Sequence, residues 1–276
     1  MSAVFGAFVL FGLAGALALV LRQEFSSRLS KISRTLQEPS NLLGARTDLP
    51  AEVIRLGEVL GARGDVAQPF IQLEQCGEMW KTKGAKPMRF SAFQTIRNDK
   101  PGFLWQASMD LVLVADYLVG SVGGLEGRLA GVISVMKLVG GDDLRQGQLL
   151  RYLAELPWNP DTILCNRELE WTVLGPKSIR VAAGTGAARG EITFELDGDG
   201  YIATARAVSR LCAENGKLVP RPWHGRFWDY ELIGDRMIPR QAEVAWGLEE
   251  GDFVYWRGRL LSWSNSLGRY IYFRED

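Results

Sequence analysis

Residues 184–200 read Gly184-Thr185-Gly186-Ala187-Ala188-Arg189-Gly190-Glu191-Ile192-Thr193-Phe194-Glu195-Leu196-Asp197-Gly198-Asp199-Gly200. Two folds compete for this stretch. The spaced glycines mimic a dinucleotide-binding loop, which requires the last glycine to open a helix whose N-terminus faces a pyrophosphate. After Gly190 the chain instead alternates: Ile192, Phe194 and Leu196 against Thr193, Glu195 and Asp197. That is the period of a strand, not of a helix. Asp197-Gly198-Asp199-Gly200 then supplies turn chemistry rather than a calcium loop, because a third acid and a distant bidentate Glu are missing. Hairpin loop, strand and tight turn predict antiparallel pairing, since parallel neighbours need long crossovers.

The same grammar extends in both directions. Met88, Phe90, Ala92, Gln94 and Ile96 alternate with Arg89, Ser91, Phe93 and Thr95, and Leu169, Trp171 and Val173 with Glu168, Glu170 and Thr172. Trp228, Tyr230 and Leu232 alternate with Asp229, Glu231 and Ile233; Val244, Trp246 and Leu248, then Phe253 and Tyr255, continue it. Gly234-Asp235 and Glu250-Gly251 punctuate these runs as hairpin turns. The expectation is a mainly β fold, a strongly curved antiparallel sheet of roughly ten or eleven strands. One helical insert interrupts it. Asp143 can cap a helix with Gln146 three residues on, with Leu149, Leu153 and Leu156 as the apolar stripe and Arg151 and Glu155 one turn apart. Pro157 stops it, and Asn159-Pro160 opens a second short helix. These helices are expected to cover one sheet face.

The N-terminus is different. Residues 2–21 form an uncharged run of 20 residues ending at Arg22. At helical rise that is roughly 30 Å, one bilayer core. No Lys or Arg precedes the run, which disfavours a cleaved signal peptide. Phe25, Leu29, Ile32 and Leu36 keep helical spacing, with Arg28, Lys31 and Arg34 off the stripe. This segment reads either as a basic amphipathic helix on anionic lipid or as a continuation of the anchor helix. The expected organisation is a transmembrane anchor over 1–22, an amphipathic linker over 23–47 and a single β-rich domain over 48–276, starting with a short helix capped by Asp48. Arg22, Arg28, Lys31 and Arg34 come after the anchor and no basic side chain precedes it, so the positive-inside rule favours a cytoplasmic domain.

Composition narrows the chemistry. Lys plus Arg and Asp plus Glu are 32 each, so no basic field exists to hold a nucleic acid. One His, His224, and three scattered Cys (Cys76, Cys165, Cys212) give neither metal-ligand spacing nor a His-based acid–base pair. Ser134-Val135-Met136-Lys137 matches the Ser-x-x-Lys of acylating enzymes, but residues three apart on a strand face opposite ways. No catalytic residue, metal site or cofactor is assigned. The aromatic distribution is the remaining signal: Trp158, Trp171, Trp223, Trp228, Trp246, Trp256 and Trp263 are seven of the nine Trp. They read as packing on a large sheet, or as the lining of a concavity for an apolar or amphiphilic ligand. The candidate ligand contacts are Phe103, Trp105, Tyr152, Trp171, Phe194, Trp228 and Trp246.

The string Arg151-Tyr152-Leu153-Ala154-Glu155-Leu156-Pro157-Trp158-Asn159-Pro160, with Gly102-Phe103-Leu104-Trp105, Ile238-Pro239 and Val244-Ala245-Trp246, resembles an uncharacterised family of bacterial membrane-anchored proteins from about Leu49 onward. That family has no assigned activity. The architecture is also similar to the lipoprotein carriers of the bacterial envelope, half-open barrels that hold acyl chains under helices. The apolar run is expected to attach the chain to the inner membrane; the charge bias favours the cytoplasmic side of it, while the carrier resemblance implies the outer side. Three readings compete: a membrane-anchored binder of a lipid or other hydrophobic small molecule, an envelope hydrolase working through carboxylates, or a scaffold without a ligand. A continuous apolar cavity, two convergent acids in a cleft, or a filled interior distinguishes them.

Overall fold

The structure, a computed structural model, describes residues 2–40, 44–64, 68–214, 216–265 and 271–272, without the side chains of 2–14, 271 and 272. In chain order the strands are β1 (Phe70–Met79), β2 (Met88–Arg97), β3 (Gly102–Met109), β4 (Val112–Val119), β5 (Val122–Leu129), β6 (Ile133–Val139) and β7 (Glu170–Gly175). They continue with β8 (Ser178–Ala183), β9 (Gly190–Leu196), β10 (Ile202–Glu214), β11 (Lys217–Ile233), β12 (Arg236–Leu248), β13 (Gly251–Ser264) and the two-residue β14 (Ile271–Tyr272). The helices are α1 (Ser2–Gln37), α2 (Ala51–Val59), α3 (Asp142–Ala154) and α4 (Asp161–Cys165), with a 3-10 turn at Leu156–Trp158.

All fourteen strands join one antiparallel sheet, ordered β6-β5-β4-β3-β2-β1-β13-β12-β11-β10-β9-β8-β7 with β14 on β13. It is a curved half-barrel with a few helices. The two ends of the order explain the cover. The chain leaves the sheet at edge strand β6 and returns at the opposite edge, β7, so the insert between them crosses the full width of the sheet. Its apolar stripe meets the inner face as its spacing predicts: Leu149, Leu153 and Leu156 are all buried.

The strand number exceeds the sequence expectation because of residues 112–139. Gly123, Gly124 and Gly127 in β5 break any apolar alternation. Gly124 is required by its neighbour: a Cβ there would overlap the Tyr117 ring. The glycine loop of 184–190 holds a 3-10 turn, Gly186–Ala188, before β9, so no helix N-terminus faces a phosphate there. Asp197 Oδ1 accepts the Asp199 and Tyr201 amides, closing the turn.

Three local expectations are corrected. Gly141, at φ 85°, stands at the N-cap of α3, and Asp143 lies inside the first turn. Pro50 precedes α2, while Asp48 is engaged by Arg46 at 2.8 Å. Pro160, not Asn159, precedes α4. The alternation in 228–233 also breaks. Asp229 takes φ +61°, and Phe227 and Ile233 are buried while Trp228 and Leu232 are exposed.

Helix α1 continues unbroken through residues 23–37 of the segment read as a linker and ends at Gln37; residues 41–43 lie outside those described. Phe25, Leu29 and Leu36 pack on Leu104, Ala115 and Tyr117, the outer face of the sheet. Arg28 pairs with buried Glu126 at 2.6 Å. At the far end Arg97 Nη1 donates to the carbonyls of Leu36 and Glu38, capping the helix, while Asp99 holds its guanidinium at 2.6 Å. Among the described residues no helix is long and apolar enough to cross a membrane. Most of the apolar run 2–21 falls where side chains are not described.

Candidate functional site: a cavity under the helical cover

The two ends of the half-barrel are built differently. At one end α2, α4 and the 3-10 turn plug the opening with polar ties. Arg236 Nη2 and Asp161 pair at 3.0 Å, Tyr152 Oη and Asn159 Nδ2 both donate to Arg97 O, and Met237 N donates to Leu60 O. Burial raises the Asp161 carboxyl above its ordinary range, against the opposing pull of Arg236. The other end carries the β1–β2, β3–β4 and β5–β6 turns and has no such plug among the described residues.

A cavity of about 770 Å³ opens there and runs inward between the inner sheet face and α3. Four methionines, Met79, Met88, Met109 and Met136, line it near the opening. Deeper, Trp105, Trp158, Phe227 and Trp256 wall it. These aromatics brace one another: Trp158 meets Phe227 edge-on at 5.5 Å and Trp256 at 6.2 Å, and Phe90 stacks on Trp256 at 5.6 Å. Trp158 is fixed at all three polar groups, its Nε1 donating to Pro239 O, its amide to Glu155 O, and its carbonyl accepting from Trp263 Nε1. Rigid aromatics beside pliable thioethers suit an apolar guest of variable shape.

The roof carries the charge. Arg151 of α3 projects over the rings of Phe103 and Trp105, at 4.9 and 5.1 Å. It donates to Asp116 on β4 at 2.5 Å and to Glu155 at 2.8 Å. Gln148 donates to the remaining Asp116 oxygen, and Gln94 to the remaining Glu155 oxygen at 2.6 Å. Gln75 links Gln94 to Trp105 Nε1. Burial opposes the Arg151 charge, but Glu155 and Asp116 outweigh it and hold its pKa above the ordinary guanidinium value. All four carboxylate oxygens thus have donors.

The sequence candidates are dispersed. Trp105 lines the cavity and Phe103 lies beneath the Arg151 guanidinium. Tyr152 is fully buried at the plugged end, its hydroxyl also accepting from Asn166. Phe194 is core, with Trp171 beside it on edge strand β7. Trp246 stacks on Tyr255 in a neighbouring groove, and Trp228 faces outward. Trp158, Trp223, Phe227 and Trp256 line the cavity instead; their register across β11–β13 and the path of the cover were the missing signals.

Elsewhere, His224 Nε2 lies 3.0 Å from Asp252, and burial lowers its pKa despite that partner. The three cysteines form no disulfide. Among the described residues no group of three or more His, Cys, Asp or Glu could hold a metal.

An antiparallel half-barrel curled around an aromatic and thioether cavity, roofed by helices, is the class of protein that fold and site define. The chain belongs to a family of unknown function, DUF6920, whose sequence profile matches residues 47–263. No curated protein matches it. Among solved structures it is similar to a LolA superfamily protein from Nitrosomonas europaea, at 10% identity and TM-score 0.43 over 77% of this chain and 91% of that one. It is also similar to a DUF1329 family protein from Desulfovibrio piger, at 12% and 0.45 over 79% and 92%. A structure described as an outer membrane lipoprotein-sorting protein domain, from Vibrio parahaemolyticus, gives 9% and 0.45 over 79% and 92%. Likenesses this distant carry nothing about ligand or activity.

Proposed function

We propose that the protein is a membrane-anchored binder of a hydrophobic or amphiphilic small molecule, held in the cavity under α3. The observation that carries this reading is the cavity itself. It has the volume of a ligand site, a predominantly apolar lining, and a few polar groups, the Arg151, Asp116 and Glu155 cluster among them. A scaffold without a ligand has no use for a space of that size. A carboxylate hydrolase is disfavoured because Asp116 and Glu155 are both committed to Arg151. The anchor in this reading is the apolar run 2–21, and the basic residues just after it favour a cytoplasmic domain.

Native mass spectrometry of the full chain, extracted in mild detergent, tests this. The expected spectrum contains a mass adduct that organic extraction removes, or that an added fluorescent fatty acid restores. A bare-mass spectrum that neither the extract nor the fatty acid changes overturns the reading.

A further inference from the structure

Helix α1 and the cavity are oriented towards the same end of the sheet. Near its start on the sheet, Leu21 O accepts from Arg128, and Arg22 lies beside Gly131 in the β5–β6 turn, at the open end. Near its finish, Leu36 lies against Gly102 and is capped by Arg97, at the plugged end. The helix therefore runs along the outer face from the open end to the plugged end. Traced towards its N-terminus, it leaves the sheet past the open end, where Leu17, Leu19 and Val20 are exposed. The cavity opens on the side from which the apolar run arrives.

The rim on that side has matching chemistry. The β1–β2 loop presents Lys81, Lys83 and Lys86, all exposed, and among the described residues no carboxylate pairs with any of them. The next two turns present Leu111, 71% exposed, and Ile133, 61% exposed. Asp110 is the acid of the β3–β4 turn; on the other flank the β12–β13 turn adjoins the loop, and its Glu249 and Glu250 line a groove together with Lys81 and Lys83, without an ion pair between them. Lys81 and Leu111 also line the cavity, so rim and cavity wall are one surface.

We propose that this side of the rim docks on an anionic bilayer surface, the lysines on head groups and Leu111 and Ile133 below them, so that the cavity exchanges its ligand directly with the leaflet. The proposal rests on the anchored-binder reading and adds to it the entry route and the charge of the lipid. Juxtamembrane lysines bind anionic lipid electrostatically, and apolar side chains beside them enter the interface.

Hydrogen–deuterium exchange of the full chain in nanodiscs tests it, comparing phosphatidylcholine alone with phosphatidylcholine plus phosphatidylglycerol. On the anionic discs the amides of 81–86, 110–112 and 130–133 are expected to exchange about tenfold or more slowly, while 198–200 and 234–235, at the plugged end, stay unchanged. The variant K81E/K83E/K86E, confined to an exposed loop, is expected to lose that protection. Unchanged exchange at the rim on anionic discs overturns the docking and leaves the cavity reading standing. Equal protection on neutral discs overturns the anionic assignment. A chain that does not enter discs at all overturns the anchor together with this inference.

Discussion

Arg151 Nη1 lies 2.5 Å from Asp116 Oδ2 on β4, while its Nε contacts Glu155 Oε1, one helical turn further on, at 2.8 Å. One guanidinium thereby ties the cover to the sheet and is shared between two inward-facing acids. Arg151→Met leaves both carboxylates facing an apolar cavity without their cation. The expected loss is about 3–5 kcal/mol, because breaking a buried pair strands its partners. Replacing all three groups, R151M/D116L/E155L, is expected to recover most of that loss. Urea denaturation of the two variants checks both outcomes; equal loss in both would show that the charge pairing contributes nothing beyond packing.

Val244 lines the cavity and is only half-buried, so there is room in front of it. Val244→Trp is expected to fill part of that space and displace the guest, at a stability cost no larger than the roughly 1–3 kcal/mol of ordinary overpacking. The measurement is the stoichiometry of co-purifying or added fatty acid, alongside the melting temperature. Full occupancy in a folded V244W protein would place the ligand elsewhere.

Leu153 is fully buried between α3 and the inner face. Leu153→Ala is expected to cost about 2–5 kcal/mol through lost burial and the void left behind. Thermal unfolding of the variant checks it, and an unchanged melting temperature would contradict the packing described for the cover.

Asp99 and Asp161 make opposite contributions to acid stability. Burial works against the Asp99 charge, but the Arg97 hydrogen bonds prevail and lower its pKa. Its contribution is present above the unfolded value, about pH 4, and is lost as pH falls through the lower folded value. Asp161 is raised by burial, so the stability its protonated form contributes is present below about pH 4 and lost as pH rises through the raised value. Asp99→Asn is therefore expected to flatten the loss of stability on acidification, and Asp161→Asn to steepen it. Denaturation midpoints between pH 7 and pH 3 read both slopes; identical profiles for the two variants would refute the assignment.

The sheet was legible in the sequence wherever one face of a strand is wet, because burial then writes a period of two. Ile192, Phe194 and the turn at Asp197 illustrate this. It was poorly legible in β5, where glycines make room for a neighbouring ring, and in β11, where the positive φ of Asp229 interrupts the alternation. Of the site, Arg151 and Glu155 could be paired from their spacing, but Asp116 could not, since it arrives from 35 residues away in the chain.

By itself the sequence determined the class of fold, the apolar run 2–21, the helical insert and its inward stripe, because each is written in local periodicity and turn chemistry. Only the tertiary structure decided which aromatics wall the cavity, that Arg151 closes over two acids, and that the open end lies on the side where α1 departs. Those properties depend on strand register and on the path of α3 across the sheet. Register couples residues far apart in the chain through backbone hydrogen bonds, and a shift of one residue would send every side chain of a strand to the other face.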